Sequence, residues 1–253
     1  EIPRAERSPY SALSAFAIDP VYIALAEVED LHVAGGSDGL PVTVRERIRL
    51  ARATPTIDYD AVRDAKVAAL RIAFESFERR EVRGGSARAL AFERYCAEQA
   101  SWLDGYVLYR AGAAARGHGR WSMWEPGARE RTPAALAGLA ATTRTARRFY
   151  AFMQWLADGQ LAAARAAAHA VGVRLDGDVP FMVARESADV WQHRELFEVG
   201  ASLGAPPDAF NRDGQDWQLP PWHWEGMVEQ DFQWLRARVT TVARRFDGCR
   251  LDH

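Results

Sequence analysis

The chain has 253 residues, of which 48% are hydrophobic and 26% are charged, and its formal net charge is −2. A chain of this length can bury a core as one large domain or two small ones, and the composition is typical of a globular protein. The near-neutral charge argues against a nucleic-acid partner, and no apolar run reaches the roughly 18 residues that span a bilayer. Cys96 and Cys249 form no CxxC or Cys/His pattern, which predicts a cytoplasmic protein without a metal site. The sequence indicates no oligomeric state.

The first zone, residues 1–57, contains Ser-, Pro- and Gly-rich segments with short apolar runs, and this pattern predicts no long helix. A helical zone follows, to about residue 145. Asp58 can accept hydrogen bonds from the first N–H groups of a helix that runs from 59 to about 80. Apolar residues recur along this helix at the spacing of one face. They are Val62, Leu70, Phe74 and Phe77.

A second long helix is expected after Gly84-Gly85, which should end the first one. Ser86 is its candidate N-cap, and the helix should continue to about residue 115. The expected apolar face consists of Leu90, Tyr95, Trp102, Tyr106 and Tyr109. A glycine-containing loop follows, and Thr132 before Pro133 is typical of another helix start.

From about residue 148 the pattern alternates between strands and helices. The aromatic run 149–155 predicts a buried strand, although a continuing helix also fits. The elements expected next are an alanine-rich helix 158–170 ended by Gly172, a strand and loop 173–183, an amphipathic helix 227–246 and a strand 248–252. This order is typical of a parallel β/α sheet.

Two acids, Asp178 and Asp252, fall at or just after the ends of two predicted strands. The carboxyl ends of parallel strands meet at one edge of a sheet, where functional sites are found. Arg250 and Asp252 are two residues apart and so face the same side of a strand, and a nearby guanidinium favours the ionised carboxylate that a nucleophile needs. Alternatively, Asp252 caps the next helix and Asp178 caps a turn.

Nine tryptophans are many for this length. Most are expected in the core, where large aromatic side chains usually lie. Trp217 is the exception, because its Pro- and Trp-rich loop, residues 204–222, could present a flat apolar ring to the CH face of a sugar. Together with Arg250 and Asp252, this loop indicates a sugar site that contains a carboxylate.

Four strings in chain order carry a resemblance to a known family. They are Ser8-Pro9-Tyr10-Ser-Ala-Leu-Ser14, Gly177-Asp178-Val-Pro-Phe-Met-Val-Ala-Arg-Glu-Ser-Ala-Asp-Val-Trp191, Gly204-Ala-Pro-Pro-Asp208-Ala-Phe210 with Gln215-Asp-Trp217, and Arg250-Leu-Asp252-His253. The chain resembles the amylomaltases, the 4-α-glucanotransferases of glycoside hydrolase family 77. It departs from the family pattern at Glu186, where Asp is usual, and at Leu251, where Ile is usual.

The resemblance implies an α/β fold, a partial (β/α)₈ TIM barrel with a large and mainly helical insertion. Residues 1–20 would follow a first barrel strand, residues 21–145 would form the insertion, and residues 146–253 would form a barrel portion with the substrate loop 204–222. Strands two, three and four of the barrel would lie at about 149–155, 173–183 and 248–252.

The resemblance also implies transfer of α-1,4-glucan segments between maltooligosaccharides by a retaining double displacement, without a cofactor. Asp252 matches the catalytic nucleophile, and Arg250 would orient it and keep it ionised. The implied substrate-binding residues are Ser8, Tyr10, Asp178, Asp208, Phe210, Gln215, Trp217 and His253. Tyr10 would stack on the donor sugar, Asp178 would bind sugar hydroxyls or Arg250, and His253 would contact substrate or pack against the strand end.

A retaining mechanism needs a second carboxyl group about 5–5.5 Å from the nucleophile, to protonate the leaving oxygen. In the family, the acid/base Glu and a stabilising Asp fall beyond the position of His253. The resemblance therefore implies that this chain alone is an inactive fragment. Two other functions stay open: a non-catalytic α-glucan-binding module on the same half barrel, and an α-glucan hydrolase of the same clan.

Overall fold

The computed structural model describes residue 8 and residues 10–180, 182–209 and 211–251. The helices in chain order are α1 (Glu29–Val33), α2 (Val42–Ala53), α3 (Tyr59–Phe77), α4 (Ala87–Glu98), α5 (Ala100–Arg116), α6 (Pro126–Arg129), α7 (Pro133–Thr142), α8 (Arg144–Ala170), α9 (Ala188–Gln192), α10 (Trp224–Glu229) and α11 (Gln233–Arg245). The strands are β1 (Asp176–Val179), β2 (Gly204–Ala205), β3 (Gln215–Asp216) and β4 (Gly248–Leu251). A π-helical turn, Glu78–Val82, extends α3.

The chain divides into two compact units. The site unit consists of Glu1–Ala17, Gly105–Arg144 and Arg165–His253. The helical unit consists of Ile18–Asp104 and Thr145–Ala164. The domain boundaries that the resemblance implies stay a prediction.

Two predicted N-caps in the helical unit are confirmed. The Asp58 carboxylate accepts the N–H groups of Asp60 and Ala61 at 3.1 and 3.0 Å. The Ser86 hydroxyl accepts the N–H of Ala89 at 3.1 Å. These bonds satisfy N–H groups at the starts of α3 and α4 that have no partner within the helix.

Three expectations about the helices before residue 117 were wrong. Helix α2 lies in a zone where no long helix was expected. Its arginine-rich surface gives little apolar signal, because only Val44 in it is buried. The helix predicted to run to about residue 115 is two helices, since α4 ends before Gln99 and α5 begins at Ala100. Leu90, assigned to the apolar face, is 61% exposed.

The aromatic run 149–155 is not the strand that the sequence favoured but the continuing helix that was its alternative. It lies within α8, and its members pack into an aromatic core with α3 and α4. The Phe77 ring centroid lies 5.5 Å from that of Phe92, 5.1 Å from that of Phe152 and 5.5 Å from that of Trp155. Consecutive residues 149 to 154 are all buried, which removes the one-sided periodicity that distinguishes a helix.

In its described residues, the site unit contains one parallel and one antiparallel pair of strands. β1 and β4 pair in parallel, with Asp176 opposite Gly248 and Asp178 opposite Arg250. The predicted strand 248–252 is confirmed as far as Leu251, and the one predicted within 173–183 is confirmed as the four residues of β1. β2 and β3 form a small antiparallel hairpin within the loop 204–222.

The amphipathic helix predicted for 227–246 is also two helices. Between α10 and α11, Asp231 and Phe232 both take left-handed backbone conformations, with φ of 49° and 54°. Neither residue is the glycine that usually occupies this conformation, so the sequence gives no warning of the break. The N-cap predicted at Thr132 is confirmed, and Pro133 is the first residue of α7.

The amino ends of β1 and β4 are joined through Asp247. Its carboxylate accepts hydrogen bonds from the Leu175 N–H at 2.9 Å and from Arg165 Nε at 2.9 Å. The same carboxylate lies 2.7 Å from His169 Nε2. The Leu175 N–H, with His169 and Arg165, holds the pKa of Asp247 well below its usual range. The N–H of Asp247 in turn donates to the Leu175 carbonyl at 2.8 Å. These contacts set where the parallel pair begins.

Most tryptophans pack in the interior as predicted. The buried ones are Trp102, Trp121, Trp124, Trp191 and Trp234. Trp217 is 42% exposed and Trp224 is 59% exposed. Among the described residues, every helix falls short of the length and apolar character that a membrane span requires.

Candidate functional site

The parallel pairing of β1 and β4 places two charged side chains beside each other. Asp178 and Arg250 are direct partners in the register, the third residue of one strand facing the third of the other. Arg250 Nε donates to Asp178 Oδ1 at 3.0 Å, and Arg250 Nη2 donates to Oδ2 at 2.7 Å. This two-bond geometry orients the guanidinium plane more strictly than a single contact would.

The pair is open to solvent. The Arg250 side chain is 63% exposed and the Asp178 side chain is 42% exposed. The hydrogen bonds from Arg250 hold the pKa of Asp178 below its ordinary value. Asp178 is therefore a carboxylate at neutral pH, with lone pairs that can accept hydroxyl donors.

Tyr10 joins this pair from the N-terminal segment. Arg250 Nη2 lies 3.5 Å from the Tyr10 hydroxyl, at the limit of hydrogen bonding, and the Tyr10 side chain is partly exposed. The Ser8 hydroxyl accepts the N–H of Tyr10 at 3.3 Å. Four of the residues singled out from the sequence therefore lie in one cluster: Ser8, Tyr10, Asp178 and Arg250.

Three other predicted site residues, Phe210, Asp252 and His253, lie outside the described residues. Arg250 is described, and it lies two positions before the predicted nucleophile. The roles of Phe210, Asp252 and His253 stay predictions.

The hairpin formed by β2 and β3 carries the remaining predicted residues. Trp217 Nε1 donates to Gln215 Oε1 at 3.1 Å, which fixes the orientation of a partly exposed indole ring. Asp208 Oδ1 accepts the N–H of Asn211 at 2.7 Å and so shapes the turn of the hairpin. A Cβ atom on Gly204 would lie 1.9 Å from the Gln215 carbonyl oxygen, so only glycine permits this strand pairing.

Arg185 is a residue of this region to which the sequence analysis assigned no role. Its guanidinium donates to the carbonyl of Val199 and, at 2.6 Å, to the carbonyl of Ala201. It thereby ties the start of the hairpin to the segment that follows β1. Its place within the string 177–191 was the available signal, but a string match does not reveal which backbone a side chain binds.

The arrangement suits recognition of a neutral, hydroxyl-rich ligand. The parallel pair presents a carboxylate and a guanidinium, the N-terminal segment adds the exposed phenol ring of Tyr10, and the hairpin presents an exposed indole ring. Among the described residues, no three His, Cys, Asp or Glu side chains are grouped to hold a metal ion.

Comparisons with known proteins identify the family of this chain. The model of a family described as 4-alpha-glucanotransferase matches residues 2–253. A 4-alpha-glucanotransferase of Thermus thermophilus is 31% identical over 97% of this chain and 48% of its own length. The rice protein named 4-alpha-glucanotransferase DPE2 is 31% identical over 97% of this chain and 25% of its own.

The fold is also similar to that of a solved enzyme. The amylomaltase of Streptococcus agalactiae, in a structure with acarbose, aligns with a TM-score of 0.81 at 25% identity, over 97% of this chain and 49% of that one. The chain thus spans half the length of these relatives or less. Since the family model covers nearly every residue, the chain belongs to the 4-alpha-glucanotransferase family, glycoside hydrolase family 77.

Proposed function

We propose that the protein works as a 4-alpha-glucanotransferase, which moves α-1,4-glucan segments between maltooligosaccharides through a covalent glycosyl-enzyme intermediate. The observation that carries the proposal is the Asp178–Arg250 ion pair next to Tyr10, on the parallel strands that lead to Asp252. Family membership supports the same reaction.

In fold terms, β1 and β4 are neighbouring strands of a (β/α)₈ barrel. Three features support this assignment: the parallel pairing, the helices between the two strands, and the similarity to a solved amylomaltase. Active sites of such barrels lie at the carboxyl ends of the strands. Asp178 and Arg250 lie at that end of the pair, opposite the contacts of Asp247.

The first chemical step is attack by the Asp252 carboxylate on the anomeric carbon of the donor glucan. The glycosidic oxygen leaves with a proton from a second carboxyl group, as retaining enzymes require. Arg250 has a positive charge two residues before Asp252, and this charge favours the ionised nucleophile. Asp178 holds the guanidinium in one orientation, so the donor N–H groups need not reorganise during the reaction.

Binding of the glucan uses the CH face and the hydroxyl groups of the sugar ring. Tyr10 and Trp217 present exposed aromatic surfaces on which the CH face of a glucose ring can stack. Asp178 stays ionised at neutral pH and accepts hydrogen bonds from sugar hydroxyls. Gln215 holds the indole of Trp217 in place and offers its amide to the same ligand.

The second step decides between transfer and hydrolysis. The 4-hydroxyl of an acceptor sugar must reach the glycosyl-enzyme before water does. A hairpin over the bound glucan excludes solvent and positions the acceptor. The proline-rich loop 204–222, anchored by Arg185, is the segment that we assign to this role.

A hydrolase of the same clan is the nearest alternative function, and a non-catalytic glucan-binding module is the next. Incubation of the complete protein with maltotriose separates the three. A transferase gives glucose together with a ladder of longer glucans, and added glucose as acceptor shortens the ladder. A hydrolase gives glucose and maltose only, and a binding module leaves maltotriose intact.

The role of the loop has its own test. Shortening residues 206–213 in the complete enzyme should raise the ratio of hydrolysis to transfer, because water then reaches the intermediate. An unchanged ratio at comparable thermal stability would remove the loop from the mechanism.

A further inference from the structure

Tyr10 lies on a segment without regular structure. None of residues 10–17 belongs to a helix or a strand. The position of the Tyr10 ring relative to Asp178 and Arg250 therefore depends on individual contacts of this segment rather than on a helix or sheet.

Those contacts converge on the residues that follow β1. Backbone N–H groups within 184–188 donate to the carbonyls of Ala12 and Leu13 at 3.0 and 2.8 Å. In the opposite direction, the N–H of Ala15 donates to the Asp189 carboxylate at 2.8 Å. Among the described residues, three hydrogen bonds thus join the two segments, and Asp189 contributes the one that uses a side chain.

The Asp189 carboxyl is buried where it makes this contact. Its side chain is 3% exposed, and burial raises the pKa of its carboxyl, against the opposing effects of the Ala15 N–H, His193 and Arg238. Arg238 is itself 4% exposed. Acids are rarely buried to this extent without a specific partner.

We propose that Asp189 is a positioning residue for glucan transfer, which holds the Tyr10 segment in register with the Asp178–Arg250 pair through the N–H of Ala15. It touches no substrate and acts through Tyr10. The inference rests on the proposed function, because Tyr10 matters only if a sugar binds there. Asp178 and Asp189 are eleven residues apart in the chain. The contact of Asp189 with Ala15 therefore joins the segment that contains Tyr10 to the segment that contains Asp178.

A double-mutant cycle in the complete enzyme tests the proposal. The variants are Asp189→Ala, Tyr10→Ala and the double variant, with kcat/KM measured for disproportionation of maltotriose. Misplacement of Tyr10 should lower kcat/KM of Asp189→Ala by roughly 10- to 100-fold. In the Tyr10→Ala background the same change should cost little, because the ring that it positions is gone. Asp189→Asn keeps an acceptor for the Ala15 N–H and should retain most of the activity.

Controls separate this role from general stability. Asp247→Ala removes another acid with several hydrogen bonds, at the opposite end of the strand pair, and should lower Tm without a matching loss in kcat/KM. If Asp189→Ala does not fold, Asp189→Ser takes its place in the cycle, since its hydroxyl is polar but too short to reach Ala15.

The outcomes are distinct. An equal loss from the Asp189 change with and without Tyr10, or equal activity of the Ala and Asn variants, overturns the positioning role. If the unaltered complete enzyme does not convert maltotriose at all, the proposed function fails, and the positioning role for glucan transfer fails with it.

Discussion

Replacement of Arg250 by Lys would perturb the cluster while keeping its positive charge. The guanidinium makes two bonds to Asp178, at 3.0 and 2.7 Å, and approaches the Tyr10 hydroxyl at 3.5 Å. A lysine ammonium is a single point charge that cannot reproduce the planar two-bond contact. At least one charge-assisted hydrogen bond is therefore lost.

The size of the effect differs between stability and catalysis. Both side chains are largely exposed, so the pair adds at most about 1 kcal/mol to the free energy of unfolding. A bound glucan covers the pair, and a lost hydrogen bond to a charged group then costs about 1.5–3 kcal/mol. At about 1.4 kcal/mol per factor of ten, kcat/KM should fall roughly 10- to 150-fold.

Kinetics of maltotriose disproportionation and thermal unfolding of the complete enzyme measure the two effects. Arg236→Lys is a matched control, because Arg236 also makes a two-bond contact, through Nη1 and Nη2, with Asp231 at 2.8 and 2.8 Å, and Arg236 is as exposed as Arg250. It should change Tm as little as Arg250→Lys does and leave kcat/KM unchanged. Wild-type kcat/KM in Arg250→Lys, or an equal loss in Arg236→Lys, would refute the assignment.

Three further predictions concern the loop, the core and the strand pair. Trp217→Ala should raise KM for maltooligosaccharides several-fold whereas Trp224→Ala, which removes a more exposed indole, should not; equal effects would argue against stacking on Trp217. Phe77→Ala should lower the free energy of unfolding by about 3–5 kcal/mol in urea titrations, since Phe77 is fully buried among other rings; a loss below about 1 kcal/mol would contradict the described packing. Asp247→Asn should be less stable than wild type at pH 7, and the difference should shrink below about pH 4, because a carboxyl with a lowered folded-state pKa loses its stabilising effect as it is protonated. A difference between the two proteins that stays constant from about pH 5 down to about pH 2 would count against the ionised form.

Local signals in the sequence predicted the ends of helices well. Asp58, Ser86 and Thr132 each accept a backbone N–H at the start of a helix, as their side chains and positions indicated. Gly172, with φ of 75°, ends α8 at the expected place. Such caps are decided by a few neighbouring residues and are therefore visible without the rest of the fold.

Features decided by tertiary contacts were missed. The run 149–155 was predicted as a strand because α8 is buried on nearly all sides there, and a fully buried helix has no polar face to reveal its period. The break at Asp231 depends on packing that holds two non-glycine residues in left-handed conformations. Neither the helix over 149–155 nor the break at Asp231 follows from the conformational preferences of the residues nearby.

The candidate site was predictable only in part. The spacing of Arg250 and Asp252 indicated a charged strand end, but nothing local shows that Arg250 lies opposite Asp178. That pairing depends on the register of strands about seventy residues apart, and the resemblance to amylomaltases supplied it. The contacts of Arg185 and Asp189 were invisible for the same reason, since both side chains bind the backbone of distant segments.

Trapping the covalent intermediate tests the central claim most directly. A fluorinated α-glucosyl fluoride that slows deglycosylation would be incubated with the complete enzyme, because fluoride leaves without a proton and the first step then depends on the nucleophile. Peptide mapping by mass spectrometry should find one glycosyl group on Asp252 and none in Asp252→Asn. An adduct on any other carboxylate of an active enzyme would contradict the account.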